Sequence, residues 1–261
     1  MHPERASEKP RYYNVGNWRD STWAYKQIDP IIAPFDVNAV FYPRALEIIK
    51  EYKAVLGINE KQLAKACRGW HNKREAYSYT AQKGKVRYAL ALYGEKFKQM
   101  EVSHLDESYL YYFFDATEAE ITSFAERLLD KDYFYTIAGP TLIAHRNKFG
   151  YTNQEYHGLV IWTKQAAFVV GGLARQYAYG KKQKWSTESL ELIQKALITT
   201  SKTVMRAYEE LGHAFPELHY TSEDTVKYFA TEGLSNSGAS KVQLWSAVGA
   251  RRIMREYYNF L

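Results

Sequence analysis

Apolar residues recur along this chain mostly at helical spacing, and one stretch stands out. Over residues 159–173, Leu159, Ile161, Trp162, Ala166, Phe168, Val169, Val170 and Leu173 fall around most of a helix instead of along one stripe. That pattern predicts a helix beginning at Leu159 and buried on nearly all sides. Lys164 and Gln165 interrupt it, so it is not a membrane span. It is entered through a polar loop ending in Glu155, Tyr156, His157 and Gly158. Such a helix suits an α-helical ring whose inner helices present their N-terminal loops to a central pocket. The plainer alternative is a core helix with a polar N-terminal cap.

The rest of the chain reads as support for that junction. Residues 1–13 are polar and predict an extended arm, and residues 14–35 form a loop-rich piece broken by Gly16, Pro30 and Pro34. Asp36 reads as the N-cap of a helix over 36–56 that Gly57 stops. A second helix over 60–73 follows a tight connection and is therefore its antiparallel neighbour. Residues 76–93 alternate and turn at Lys83-Gly84, which predicts a short hairpin. Helices resume at 107–114 and 118–129. A loop over 130–157 is broken at Gly139-Pro140 and is extended over 136–143. After the buried helix comes another over 186–211 with Ser186 as its cap, then loop and strand over 212–240, and a last helix over 241–260. The seven helices are joined alternately by tight turns and long loops. Long loops gathered at one end of a helical array can build a pocket. No segment reads as a flexible linker, so residues 14–261 form one mainly α domain of αα-hairpins with short β excursions.

Composition narrows the function more than the fold. The net charge is +6, but the Lys and Arg residues are spread out, with short clusters only at 181–184 and 251–252, so nucleic acid is not expected as a partner. Aromatic residues make up 16% of the chain, with 23 Tyr and 6 Trp. These side chains pair an apolar face with a hydrogen-bonding tip, which suits stacked sugars and helix seams alike. Cys67 is the single cysteine, so no disulfide forms within the chain, and it reads as a small buried hydrophobe. The His residues lack HxxxH or HExxH spacing, and no GxSxG, P-loop or GxGxxG occurs, so neither metal nor cofactor is expected. Without a signal-like or membrane-spanning run the chain is expected to be soluble, with the cytoplasm the favoured compartment.

Three long loops hold the candidate chemistry. The first has Trp18, Arg19 and Asp20, where a carboxyl desolvated beside an indole could stay protonated as a general acid, or be held ionised by the arginine. The second ends in Tyr156 and His157, with Trp162 close behind. The third has Glu217 among apolar and aromatic neighbours, Pro216, Leu218 and Tyr220. Two carboxylates on loops facing one pocket are what glycoside hydrolysis requires, and an inverting enzyme sets them about 6.5–9.5 Å apart.

In order and spacing these pieces resemble the C-terminal half of the (α/α)6-toroid, or six-hairpin, glycoside hydrolases, the group with amylo-α-1,6-glucosidase and glycogen-debranching-like enzymes. The matching stretches are Asn17-Trp18-Arg19-Asp20, Phe35-Asp36-Val37-Asn38, residues 138–142, the YHGLVIW segment of 156–162, Pro216-Glu217-Leu218 and SKVQLWSA over 240–247. The resemblance covers residues 14–261. It implies part of an (α/α)6 toroid acting as an inverting α-glucosidase or debranching-like hydrolase. Asp20 would be the general acid and Glu217 the general base, and Trp18, Arg19, Tyr156, His157, Trp162 and Gln243 would line the sugar site. Gly158 follows His157 directly, which alters the family's spacing there. A full toroid needs more helices than the seven counted, so the expected partners are a carbohydrate substrate and either a missing N-terminal half or a second chain. Inner-helix faces such as 159–173 would then lie open. A noncatalytic carbohydrate-binding or assembly module is the alternative, and a lyase or epimerase using His157 as base is another.

Overall fold

The computed structural model describes residues 18–19, 24–26, 31–70, 73–81, 85–229, 239 and 242–261. In chain order these give β1 (Ile32–Pro34), a π-helical turn (Asp36–Phe41), α1 (Tyr42–Glu51), α2 (Lys53–Leu56), α3 (Glu60–Trp70) and α4 (Lys73–Tyr77). There follow β2 (Ser78–Thr80), β3 (Val86–Tyr88), β4 (Ala91–Tyr93), β5 (Lys98–Gln99), α5 (Glu107–Phe113) and α6 (Glu118–Leu128). The last are α7 (Thr163–Gln183), α8 (Thr187–Glu210), β6 (His219–Ser222), β7 (Thr225–Tyr228) and α9 (Leu244–Phe260). The fold is mainly α, with three small antiparallel sheets among the described residues, in the order β1-β4-β5, β2-β3 and β6-β7.

α7 is the hub and packs against α5, α8 and α9. Its Ala166, Val169, Val170 and Leu173 are fully buried, and each such Val or Leu contributes about 1.5–3 kcal/mol relative to exposure. Two glycines let α5 approach on one side: a Cβ on Gly171 would lie 2.7 Å from the Tyr112 ring, and one on Gly172 would lie 3.3 Å from the Ser108 carbonyl. Gly249 does the same for α9, where a Cβ would sit 3.1 Å from the Thr163 carbonyl oxygen. α5 and α6 are tied by a buried fork in which Arg127 donates to both Glu107 oxygens, at 2.9 and 2.7 Å. Thr117 and Glu120 form a capping box that starts α6, and Ser186 caps α8 by accepting from the Ser189 N–H.

Several expectations change. α7 starts at Thr163, not Leu159, because residues 160–162 are extended and Ile161 exchanges two backbone bonds with His219, at 2.8 and 3.0 Å. Asp36 is not a cap: the preceding Phe35 is already helical (φ −62°, ψ −51°), so Asp36 enters the first turn and its side chain goes into the core. The helix expected over 36–56 is divided, its first turn wound to i→i−5 where Tyr42 N–H reaches the Val37 carbonyl and its end interrupted at Tyr52. Pro43 has no N–H to donate, so the winding changes at that point. Residues 136–143 form no strand and reach only an isolated bridge, His104 with Ile143. Cys67 is half-buried instead of buried.

The apolar surface left open is also elsewhere than expected. Residues 159–173 are mostly covered, whereas on and just before α9 an apolar face is open, with Val242, Leu244 and Val248 69%, 82% and 60% exposed. The arm over 1–13 and the turn at Lys83-Gly84 lie outside the described residues.

Candidate functional site

Three loop segments meet at the N-terminal end of α7. Arg19 is fully buried and anchors the first of them: its Nε donates to Asp106 Oδ2 at 2.7 Å and its Nη2 to Asp106 Oδ1 at 3.3 Å. A third bond runs from Arg19 Nη1 to the His157 carbonyl at 3.2 Å, joining positions 138 residues apart. Burial works against the Arg19 charge, but Asp106 more than offsets it, so the guanidinium holds its proton more tightly than usual. The neighbouring Trp18 donates its indole N–H to Asp106 Oδ1 at 3.1 Å.

Around Trp18 the aromatic groups pack edge to face. Its ring centroid is 5.1 Å from His157 and 5.3 Å from Trp162, both near perpendicular. His157 and Trp162 lie parallel at 5.7 Å. Tyr156 stands edge-on to Trp162 at 5.1 Å and accepts the Trp162 indole N–H at its carbonyl. The loop that delivers them closes tightly, with Leu159 N–H bonded to the Thr152 carbonyl at 2.8 Å. At Gly158 a Cβ would lie 2.2 Å from that same oxygen, so glycine is required directly after His157. Burial first, then the charges of Arg19 and Lys164, push His157 down to about 2. A neutral imidazole of such low proton affinity is a poor general base at neutral pH, which counts against the lyase or epimerase alternative.

Glu217 joins this group through Tyr156, whose phenol donates to Glu217 Oε1 at 2.5 Å. The carboxylate is buried, delivered by the turn before β6, and β6 is held to Ile161 by the paired backbone bonds of His219. His219 is itself buried, which pushes it down to about 4.

Beside the aromatic group lies a hollow of ≈ 790 Å³ between α5, α7 and α9, lined by Tyr112, Phe168, Trp245, Val248, Lys164, Arg252 and Gln243 among others. Its size is within the usual range for small-molecule sites. Lys164 connects the two: its Nζ lies 4.6 Å from the Trp18 ring centre and 4.8 Å from that of Trp245. Gln243 is the one sequence-predicted site residue among the hollow's lining. Its Oε1 is buried with no hydrogen-bond partner among the described residues, and its N–H bonds to the Phe215 carbonyl, two residues before Glu217.

Trp18, Arg19, Tyr156, His157, Trp162 and Glu217 are thus brought together, with Gln243 alongside, while Asp20 lies outside the described residues. Among the described residues no three His, Cys, Asp or Glu gather closely enough to hold a metal ion. No family model matches the chain, and no curated protein does.

Reading the sequence missed Asp106, Lys164 and Trp245, and gave Asp36 the wrong task. Asp36 is fully buried, and among the described residues no side chain donates to its carboxyl. Burial, then the nearby Asp106 charge, raise it to about 7, against the pull of backbone N–H groups and Arg19. A polar residue in an otherwise apolar helical run, as at Lys164, was the available signal. Asp106 offered none, since an acidic residue just before a helix is ordinary.

Proposed function

We propose that the chain forms part of an (α/α)6-toroid catalytic domain of an inverting glycoside hydrolase, α-glucosidase-like or debranching-like, with Asp20 as general acid and Glu217 as general base. The observation behind this reading is the convergence of Trp18, Arg19, Tyr156, His157, Trp162 and Glu217 from three loops onto one helix end. Aromatic faces and a buried carboxylate are the groups that hold a sugar ring and activate water. Gln243 Oε1, without a hydrogen-bond partner among the described residues, supplies an acceptor for a sugar hydroxyl, and Trp245 and Phe168 supply apolar surface in the adjoining hollow. Further helices, from a longer chain or a second one, would complete the ring against the open face of α9.

One observation favours the noncatalytic alternative. Among the described residues the lining of the hollow includes no carboxylate, and a binding module on this fold would need none. Sugar release from a panel of α-glucosides by wild type, Asp20→Asn and Glu217→Gln separates the two. The hydrolase reading expects turnover by wild type and losses on the order of 100-fold or more in each variant. Sugar binding without release by any of them would leave the binding module, and equal release by all three would remove the assigned acid and base.

A further inference from the structure

We infer that Asp106 is a positioning residue for the sugar site: it holds Trp18 and Arg19 in place against His157. This rests on the glycosidase reading for its kinetic consequence but not for its geometry. Asp106 is 1% exposed and stands directly before α5, one of the helices packed on the hub α7. It is therefore fixed to the helical core. From there it spends both oxygens on the first loop: Oδ2 on Arg19 Nε at 2.7 Å, and Oδ1 on Trp18 Nε1 at 3.1 Å and Arg19 Nη2 at 3.3 Å.

The consequence passes to the second loop through Arg19 and Trp18. The guanidinium it orients reaches the His157 carbonyl, and the indole it orients forms the edge-to-face contacts with His157 and Trp162. A carboxylate suits this task because a planar fork fixes both the distance and the rotation of the arginine. Asp20 follows Arg19 directly in the sequence, so the same anchor fixes the chain at the residue before the assigned acid. His104 Nδ1 lies 3.9 Å from Asp106 Oδ2, and burial lowers its proton affinity despite the carboxylates beside it.

The test reads the anchor and its consequence separately. The chain has six Trp, so an ¹⁵N spectrum resolves its indole N–H signals, and Trp18→Phe assigns the one that matters. In Asp106→Asn the Trp18 signal is expected to shift more than the other indoles and to exchange with solvent at least about tenfold faster. On an α-glucoside that wild type cleaves, kcat is expected to fall on the order of 100-fold, with a smaller change in KM. Should Asp106→Asn not fold, the charge-neutral pair Arg19→Gln/Asp106→Asn is measured in its place with the same expectations. A folded variant whose Trp18 signal is unmoved overturns the anchor. An active variant with kcat intact despite a displaced Trp18 signal overturns the positioning role. If wild type releases no sugar, the glycosidase reading fails on its own, and the indole signal still decides whether Asp106 holds the loop.

Discussion

Replacing Asp36 by Asn tests the electrostatics of the buried cluster behind the candidate site. Asp36 is 0% exposed, and its carboxyl is raised from 3.8 to about 7, by burial first and by Asp106 second. At about 1.4 kcal/mol for each tenfold change in proton affinity, that difference of about 3 corresponds to at most about 4 kcal/mol. Between pH 4 and 7, roughly, the folded chain keeps a proton that the unfolded chain has released, so this group's contribution falls as pH rises and is lost above about 7. His157 and His219 act in the opposite sense. Their folded values are depressed to about 2 and 4, so they add stability as pH rises through the ordinary histidine range near 6.5. The difference between wild type and Asp36→Asn removes those terms and leaves Asp36. Urea unfolding at pH 5, 6, 7 and 8, chosen to span about two units on the acid side of neutrality and one above, is the assay. Near pH 5 the variant is expected to be about 1–2 kcal/mol the more stable, and by pH 8 about 4 kcal/mol. A difference that does not change with pH, or a variant less stable than wild type at pH 8, would refute the reasoning.

Other perturbations address the site and its frame. Tyr156→Phe removes the phenol that donates to Glu217 and is expected to lower kcat/KM on an α-glucoside by about 10- to 100-fold, with about 1–3 kcal/mol lost in urea unfolding. Glu107→Gln leaves the buried Arg127 charge without its fork and is expected to cost about 3–5 kcal/mol in the same measurement. Gly158→Ala forces a methyl against the Thr152 carbonyl, 2.2 Å away. It is expected to lower the thermal midpoint by several degrees, about 1–3 kcal/mol, and to abolish sugar release through displacement of His157.

The helices were legible because their faces are buried one-sidedly or all round, and periodicity reports that directly. Ser186 and Gly57 served as cap and stop as expected, since each acts through its own backbone turn. The start of α7 was misplaced because the apolar run continues back through Val160 and Ile161, which are buried in extended backbone and not in the helix: Ile161 pairs with His219 of β6, and the Val160 carbonyl accepts from the Leu142 N–H. Burial looks the same in the sequence whichever element provides it. Most candidate site residues were legible as loop aromatics and a loop carboxylate. Their supports were not: Asp106 and Asp36 sit at helix starts, where an acidic residue has a local explanation that hides a tertiary one. Lys164 was visible as a break in an apolar run, but its place among indole faces depends on loops distant in sequence.

The most direct test of the account is the anomeric form of the first sugar released. The substrate is an α-glucoside, followed by proton NMR from the first turnovers, with Glu217→Gln as the control. The account predicts that wild type releases the β-anomer first, with mutarotation to α following, and that the variant releases little or none. Initial release of the α-anomer, or undiminished release by Glu217→Gln, would contradict it.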